Sequence, residues 1–331
     1  MSSYAILGTG AVGGYYGGLL QRAGMDVHFL LRSDYEYARH HGLRIDSING
    51  DFQLDKINAH ADAATMPRCD VAVVAWKTTE NGNLAAILPK VVKPGGVVLV
   101  LQNGLDPERE AAAASLPDAK ILGGLCFLCA RKQGPGWIRH LDYGAVTLAA
   151  YDRGTRETHE VREADGEDAG RPLGVTPEMR AVAEDFRAAG IETRLHEDWR
   201  AARWRKLVWN VPFNGLCALL GADTSALLRH PPMRAMVRGM MSEVAAGAAL
   251  SGAPLPEDFV NRMMADTDAM SPYEPSMKLD RDAGRAMELD AIYGRTLEVI
   301  VKAGGAAPLM EALLAQLGFA EGLKKGLGVR G

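Results

Sequence analysis

Cysteine, excess basic charge and long apolar runs are all scarce in this chain, and each scarcity removes a class of function. Four cysteines in 331 residues are too few for a disulfide framework, so a reducing compartment is expected, with the cytoplasm as the default. A formal net charge of −4 gives no basic field for nucleic acid or an anionic membrane, and neither is expected as a partner. No apolar run is long enough to span a bilayer, and the first residues lack the basic segment, apolar run and small-residue site of a secretory leader. Cys126 and Cys129 imitate a metal or redox pair, but they lie in a strand-like stretch whose alternation sends the two thiols to opposite faces. With no second Cys or His pair at ligand spacing, and His40-His41 lacking a third ligand, no metal site is expected and the thiols read as small apolar packing groups.

What the chain does have begins almost at once. Tyr4 to Leu7 reads as a strand and passes into Gly8-Thr9-Gly10-Ala11-Val12-Gly13 and a small-residue helix. This is the phosphate-cradling turn of a dinucleotide-binding βαβ unit, in which the first glycine allows the tight turn, the second admits the pyrophosphate, and the third lets helix sit on sheet. The helix N-terminus then offers its N–H groups to an anion. The next strand, Val27 to Leu31, ends in Arg32-Ser33 where an NAD enzyme usually carries an acid. An arginine fork suits a 2′-phosphate, so NADP(H) is the expected cofactor, with Asp34 the nearby alternative ligand for an unphosphorylated ribose.

The length suits two domains, and 47% hydrophobic with 24% charged residues is ordinary for a globular chain. Leu43–Asp46 and Asp51–Leu54 flank Asn49-Gly50, a hairpin signal. Val71 to Trp76 and Val97 to Leu101 are continuous apolar runs of the kind buried on both faces of a parallel sheet. Lys77 and Gln102-Asn103-Gly104 follow them, at the strand ends where ligands sit. Residues 121–150 alternate around Gly134-Pro135-Gly136 and predict an antiparallel addition, and 151–175 read as a charged insertion. A helix near Pro177–Ala189 and a strand near Glu192–Leu195 close the first domain. From Trp199 the pattern is helical, broken at Gly221, Pro231-Pro232, Pro254, Pro256 and Pro272, while Ala111–Ala114 and Ala245–Ala249 read as tightly packed helix. The expected fold is α/β: a Rossmann-like dinucleotide-binding domain over 1–197, followed by an all-helical substrate and catalytic domain over 198–331.

Two polar constellations lie in the helical part. Lys206, Asn210 and Asn214 step by four between Leu207, Val208, Val211 and Phe213. They form one stripe, either facing water or buried around a ligand. Ser276, Asp280, Gly284 and Glu288 also step by four, and two readings fit them equally: a solvated face, or a site with Gly284 leaving room between polar levels.

Taken together, these residues resemble the ketopantoate reductase (2-dehydropantoate 2-reductase) family over nearly the whole chain. The resemblance rests on the glycine turn with Arg32, Lys77, the Leu101-Gln102-Asn103-Gly104 turn, the W-x-K-L-x-x-N-x-x-x-N helix from Trp204, and the S-M-x-x-D…G-R-x-x-E segment from Ser276. It implies NADPH on the first domain and a small 2-keto acid as substrate. Lys206 is then the general acid, Asn210, Asn214 and Ser276 hold the substrate, Glu288 orients Lys206 or a substrate hydroxyl, and Asn103 with Lys77 bridges cofactor and substrate. The chain departs from the family pattern at Gly215, where proline often follows the second asparagine, and at Met287, where threonine commonly precedes the glutamate. Alternative functions are reduction of another 2-keto acid, dehydrogenation of a hydroxy acid, or NADP(H) sensing without catalysis. Only the enzymatic readings require Lys206. A homodimer is expected from the prevalence of two-fold symmetry.

Overall fold

A computed structural model describes residues 2–153 and 172–326. The charged stretch 154–171, most of the predicted insertion, lies outside the described residues. The chain divides into two compact units, one of residues 2–102, 107–153 and 172–199, the other of residues 103–106 and 200–326 among those described.

The first unit is built on ten strands: β1 (Ser3–Leu7), β2 (Asp26–Leu30), β3 (Leu43–Ser47), β4 (Phe52–Leu54), β5 (Asn58–His60), β6 (Cys69–Val74), β7 (Val92–Val100), β8 (Lys120–Gly134), β9 (Trp137–Tyr151) and β10 (Thr193–Leu195). They form one sheet in the order β4-β3-β9-β8-β7-β6-β1-β2-β5, with β10 pairing β9. From β8 through β7, β6, β1 and β2 to β5 every pairing is parallel. The buried faces of β1, β6 and β7 explain their apolar runs. The two sequence-predicted hairpins form, β3 with β4 and β8 with β9, both antiparallel. Their docking to each other, through parallel β3 and β9, joins segments some ninety residues apart and is not readable from local pattern. Cys126 and Cys129 are both buried free thiols.

Five helices belong to this part of the chain: α1 (Ala11–Arg22), α2 (Tyr35–His41), α3 (Leu84–Val91), α4 (Pro107–Ala114) and α5 (Pro177–Ala188). The glycines of α1 let it sit almost on the sheet. A Cβ on Gly17 would come within 2.6 Å of the Phe29 ring, and one on Gly14 within 2.6 Å of Ile138. Helix α5 buries Met179, Val182, Ala183 and Phe186 in the same core. Of the alanine run in α4 only Ala111 is fully buried, so the expectation of tight packing throughout that run is corrected.

The second unit is helical: α6 (Trp199–Leu220), α7 (Thr224–Arg229), α8 (Pro231–Leu250), α9 (Phe259–Ala269), α10 (Ser276–Asp282), α11 (Arg295–Lys302) and α12 (Pro308–Gly326). The breaks fall where the sequence puts them. Gly221 ends α6 with φ +67°, and Pro231 opens α8, where its missing N–H costs nothing. Leu207, Val208, Val211 and Phe213 of α6 share a core with Val237, Met240, Met241 and Val244 of α8 and Met310, Leu313 and Leu317 of α12. No helix among the described residues is long and apolar enough to cross a membrane.

Two expectations follow. A Cβ on Gly13 would lie 2.2 Å from the Gly8 carbonyl oxygen, so Gly13→Ala should cost about 1–3 kcal/mol and show as a fall in Tm. Asp34 ties the end of β2 to the β8–β9 hairpin, accepting from Lys132 Nζ (2.5 Å) and the Gly136 N–H (3.0 Å). Burial raises its pKa, but these partners outweigh burial and hold it below the ordinary carboxylate range. The stability it contributes is therefore present above the unfolded pKa of about 3.9 and lost as pH falls through the lower folded value. Asp34→Asn should lower Tm at pH 7, and thermal melts should show the gap closing below about pH 4.

Candidate functional site

In the first unit the glycine turn has the shape its sequence promises. Gly8 takes φ +98° and lies so close to the end of β6 that a Cβ would sit 2.6 Å from the Trp76 nitrogen. Gly10 is different: a Cβ there would meet nothing within 4 Å. The space beside Gly10 is open, and Gly10 is the N-cap of α1, with no side-chain cap and no acid in the first turn. Thr9, Ala11 and Val12 complete the loop, and Thr9 Oγ1 donates to the Leu30 carbonyl at 3.2 Å, fixing the turn to the end of β2. A pyrophosphate fits this set of groups, because the helix N-terminus supplies N–H donors and nothing of opposite purpose fills it.

Arg32 leaves the end of β2 with its side chain 87% exposed, beside Glu80 at 3.3 Å. Asp34 does not serve as a ribose ligand. Its carboxylate is buried and committed to Lys132, Gly136 and Ser33. Lys77 is half-buried where β6 gives way to a 3-10 turn over Thr78–Asn83. Sequence reading placed Gln102 at a strand end but missed its partners Asn81 and Glu110. Gln102 Nε2 donates to the Trp76 carbonyl (3.1 Å) and to Asn81 Oδ1 (2.6 Å), and Asn81 also contacts Glu110. This amide pair braces the ends of β6 and β7 against each other. Its only sequence signal was polar residues directly after buried strands.

The second unit buries its polar stripe. Lys206, Asn210 and Asn214 are 7%, 4% and 2% exposed, so α6 does not turn this face to water. Asn103, which clusters with this unit, accepts from Asn210 Nδ2 at 3.5 Å. Asn214 Oδ1 accepts the Met277 N–H at 3.3 Å, which sets the first turn of α10, and with it half-buried Ser276, against α6. The unit thus gathers Lys206, Asn210, Asn214, Asn103 and Ser276. The charged segment is corrected in one respect. Ser276 and Asp280 share α10, but Gly284 takes φ +70° just past its end, exposed, and a Cβ there would meet nothing within 4 Å. Glu288 therefore lies beyond the helix rather than two turns along it, and Gly284 stops the helix instead of making room in a stripe. Asp280 is held by Arg285 Nε at 3.0 Å, within the segment itself.

Glu288 is nonetheless 96% removed from solvent, at 4% exposure. It precedes a π-helical turn over Asp290–Gly294, a rare geometry that alters which carbonyls are satisfied within the helix. The Ala291 carbonyl accepts the Leu105 N–H at 2.8 Å, and a Cβ on Gly104 would lie 2.4 Å from that oxygen. Only glycine permits this approach, which pins the Asn103 loop to the segment carrying Glu288. The Gly215 departure has a local reason as well. Tyr293 Oη donates to the Val211 carbonyl at 2.8 Å, and a Cβ at 215 would come within 2.3 Å of that hydroxyl. Met287, the other departure, is a buried core residue.

Chemically, the first unit offers an anion-binding helix terminus flanked by cations, and the second a buried ammonium with amides, a hydroxyl and a carboxylate. Among the described residues no group of three or more His, Cys, Asp or Glu side chains could hold a metal ion.

The family model described as ketopantoate reductase PanE/ApbA matches residues 4–153, and that of its C-terminal domain matches 198–321. A 2-dehydropantoate 2-reductase from Nostoc sp. is 47% identical over 96% of this chain and 95% of its own length. The crystal structure of a 2-dehydropantoate 2-reductase from Geobacter metallireducens superposes with a TM-score of 0.86 at 38% identity, covering 96% of this chain and 99% of that one. A D-mandelate dehydrogenase determined with NADH and anilino(oxo)acetate shares the fold, with a TM-score of 0.79 at 21% identity over 98% of this chain and 99% of its own. On the two family matches and the Nostoc relative, this chain belongs to the ketopantoate reductase family.

Proposed function

We propose that this protein reduces 2-dehydropantoate to pantoate with NADPH, in the cytoplasmic synthesis of pantothenate and coenzyme A, and that it works as a homodimer. The observation that carries the reading is the buried stripe on α6. An ammonium and two carboxamides at 7%, 4% and 2% exposure share one face of a helix with Leu207, Val208, Val211 and Phe213 between them, and a small hydroxylated keto acid has the carboxylate, carbonyl and hydroxyl to match them.

In this reading residues 1–197 hold the cofactor and 198–331 the substrate and catalytic groups. The backbone of Gly8, Thr9, Gly10, Ala11, Val12 and Gly13 receives the pyrophosphate, Arg32 the 2′-phosphate, and Lys77 with Asn103 the nicotinamide end. Bound NADPH supplies the hydride that a ketone carbon accepts. Lys206 stabilises the negative charge that grows on the carbonyl oxygen and delivers the proton that completes the alcohol. Asn210, Asn214 and Ser276 fix the carboxylate and hydroxyl of the substrate, so that one face of its carbonyl is presented. Glu288 orients the Lys206 ammonium or a substrate hydroxyl and balances its charge. The burial of these groups excludes water and strengthens each electrostatic contact.

Lys206→Ala should lower kcat/KM for 2-dehydropantoate by about 10²–10⁴-fold while calorimetry shows NADPH binding unchanged. Turnover within a few fold of wild type would remove Lys206 from the chemistry. Gly10→Ala should leave Tm unchanged, since its Cβ points into open space, yet weaken NADPH binding at least tenfold.

A further inference from the structure

β1 lies between β2 and β6 in the sheet, so the glycine turn at its end is flanked by Arg32 on one side and the segment after β6 on the other. Those two flanks touch. Arg32 Nη1 donates to Glu80 Oε2 at 3.3 Å. Glu80 stands in the same 3-10 turn that follows Lys77, its N–H bonded to the Lys77 carbonyl at 2.9 Å. Its carboxylate also receives Asn83 Nδ2 at 3.5 Å. The negative charge is thereby tethered beside Arg32, the cation that this reading places at the 2′-phosphate.

We propose that Glu80 is a specificity-determining residue, competing with the 2′-phosphate of NADP(H) for Arg32 and offering an acceptor to the bare ribose 2′-hydroxyl of NAD(H). The inference rests on the reading of the first unit as a dinucleotide site with Arg32 at the 2′ position. The physical reasons are charge and exposure. A phosphate monoester carries close to two negative charges near neutral pH, and a carboxylate fixed beside its receptor arginine repels it. The Arg32 and Glu80 side chains are 87% and 39% exposed, and an ion pair this open contributes little to stability. It is exchanged for phosphate at low cost, but the displaced carboxylate stays nearby on its tether. A ribose hydroxyl, being neutral, meets no such repulsion and gains an acceptor. Glu80 therefore narrows the preference for NADPH over NADH that Arg32 alone would set.

The test is calorimetric titration of the whole enzyme with NADP⁺ and NAD⁺, in wild type, Glu80→Gln, Arg32→Ala and the double variant. Glu80→Gln should tighten NADP⁺ about two- to tenfold and leave NAD⁺ equal or weaker. The gain should shrink as salt is raised and in the Arg32→Ala background. NADP⁺ affinity that is unchanged or weaker in Glu80→Gln overturns the role of Glu80 while wild-type binding of NADP⁺ upholds the cofactor site. Absence of dinucleotide binding by the wild type overturns both.

Discussion

The burial of an ammonium and two carboxamides along one face of α6 is the constraint on which the rest of the second unit depends. Lys206, Asn210 and Asn214 are withdrawn from water, and the desolvation of such groups is repaid only by well-placed polar partners. The architecture around them supplies several. The Asn103 loop reaches Asn210, the first turn of α10 is set by Asn214, and the π-helical turn after Glu288 exposes the carbonyl that anchors that loop through Leu105. The Asn103 loop and the π-helical turn are irregular features, and both sit where a polar group enters a core made otherwise of aliphatic and aromatic side chains. Irregular backbone near functional groups is where folding and chemistry make different demands on the same residues.

The first unit solves a different problem, the close approach of backbone to an anion. Its means is the removal of side chains. Gly8 is packed against Trp76 and Gly13 against the Gly8 carbonyl, whereas Gly10 faces open space. Two glycines are therefore demanded by packing and one is not, although the motif writes all three alike. The strand ends around them are stiffened by the Gln102–Asn81 amide pair and by Thr9 on the Leu30 carbonyl. A stiff rim matters because hydride transfer tolerates little error in distance.

Much of this was legible in sequence where the signal is local. The glycine turn, the apolar parallel strands, both hairpins and the helix breaks at proline and glycine each depend on a few neighbouring residues. The stripe from Lys206 to Asn214 was legible because one helix carries all of it, and its burial removes the water-facing reading. The companion stripe from Ser276 to Glu288 misled, because spacing by four presumes a continuous helix and Gly284 interrupts it with a left-handed residue. Pairing of β3 with β9, the bracing role of Gln102 and the meeting of Arg32 with Glu80 depend on strand order. That order is a property of the whole chain, and no local window contains it.

Solved relatives share the fold, so the point most open to measurement is the match between the buried stripe and its substrate. The direct measurement is the loss of nicotinamide absorbance with purified protein and NADPH, run in parallel on 2-dehydropantoate and a panel of other 2-keto acids. The expected result is a kcat/KM for 2-dehydropantoate that exceeds every other acid by at least an order of magnitude. Equal or faster reduction of a different acid, or no turnover on any of them, would contradict the assignment.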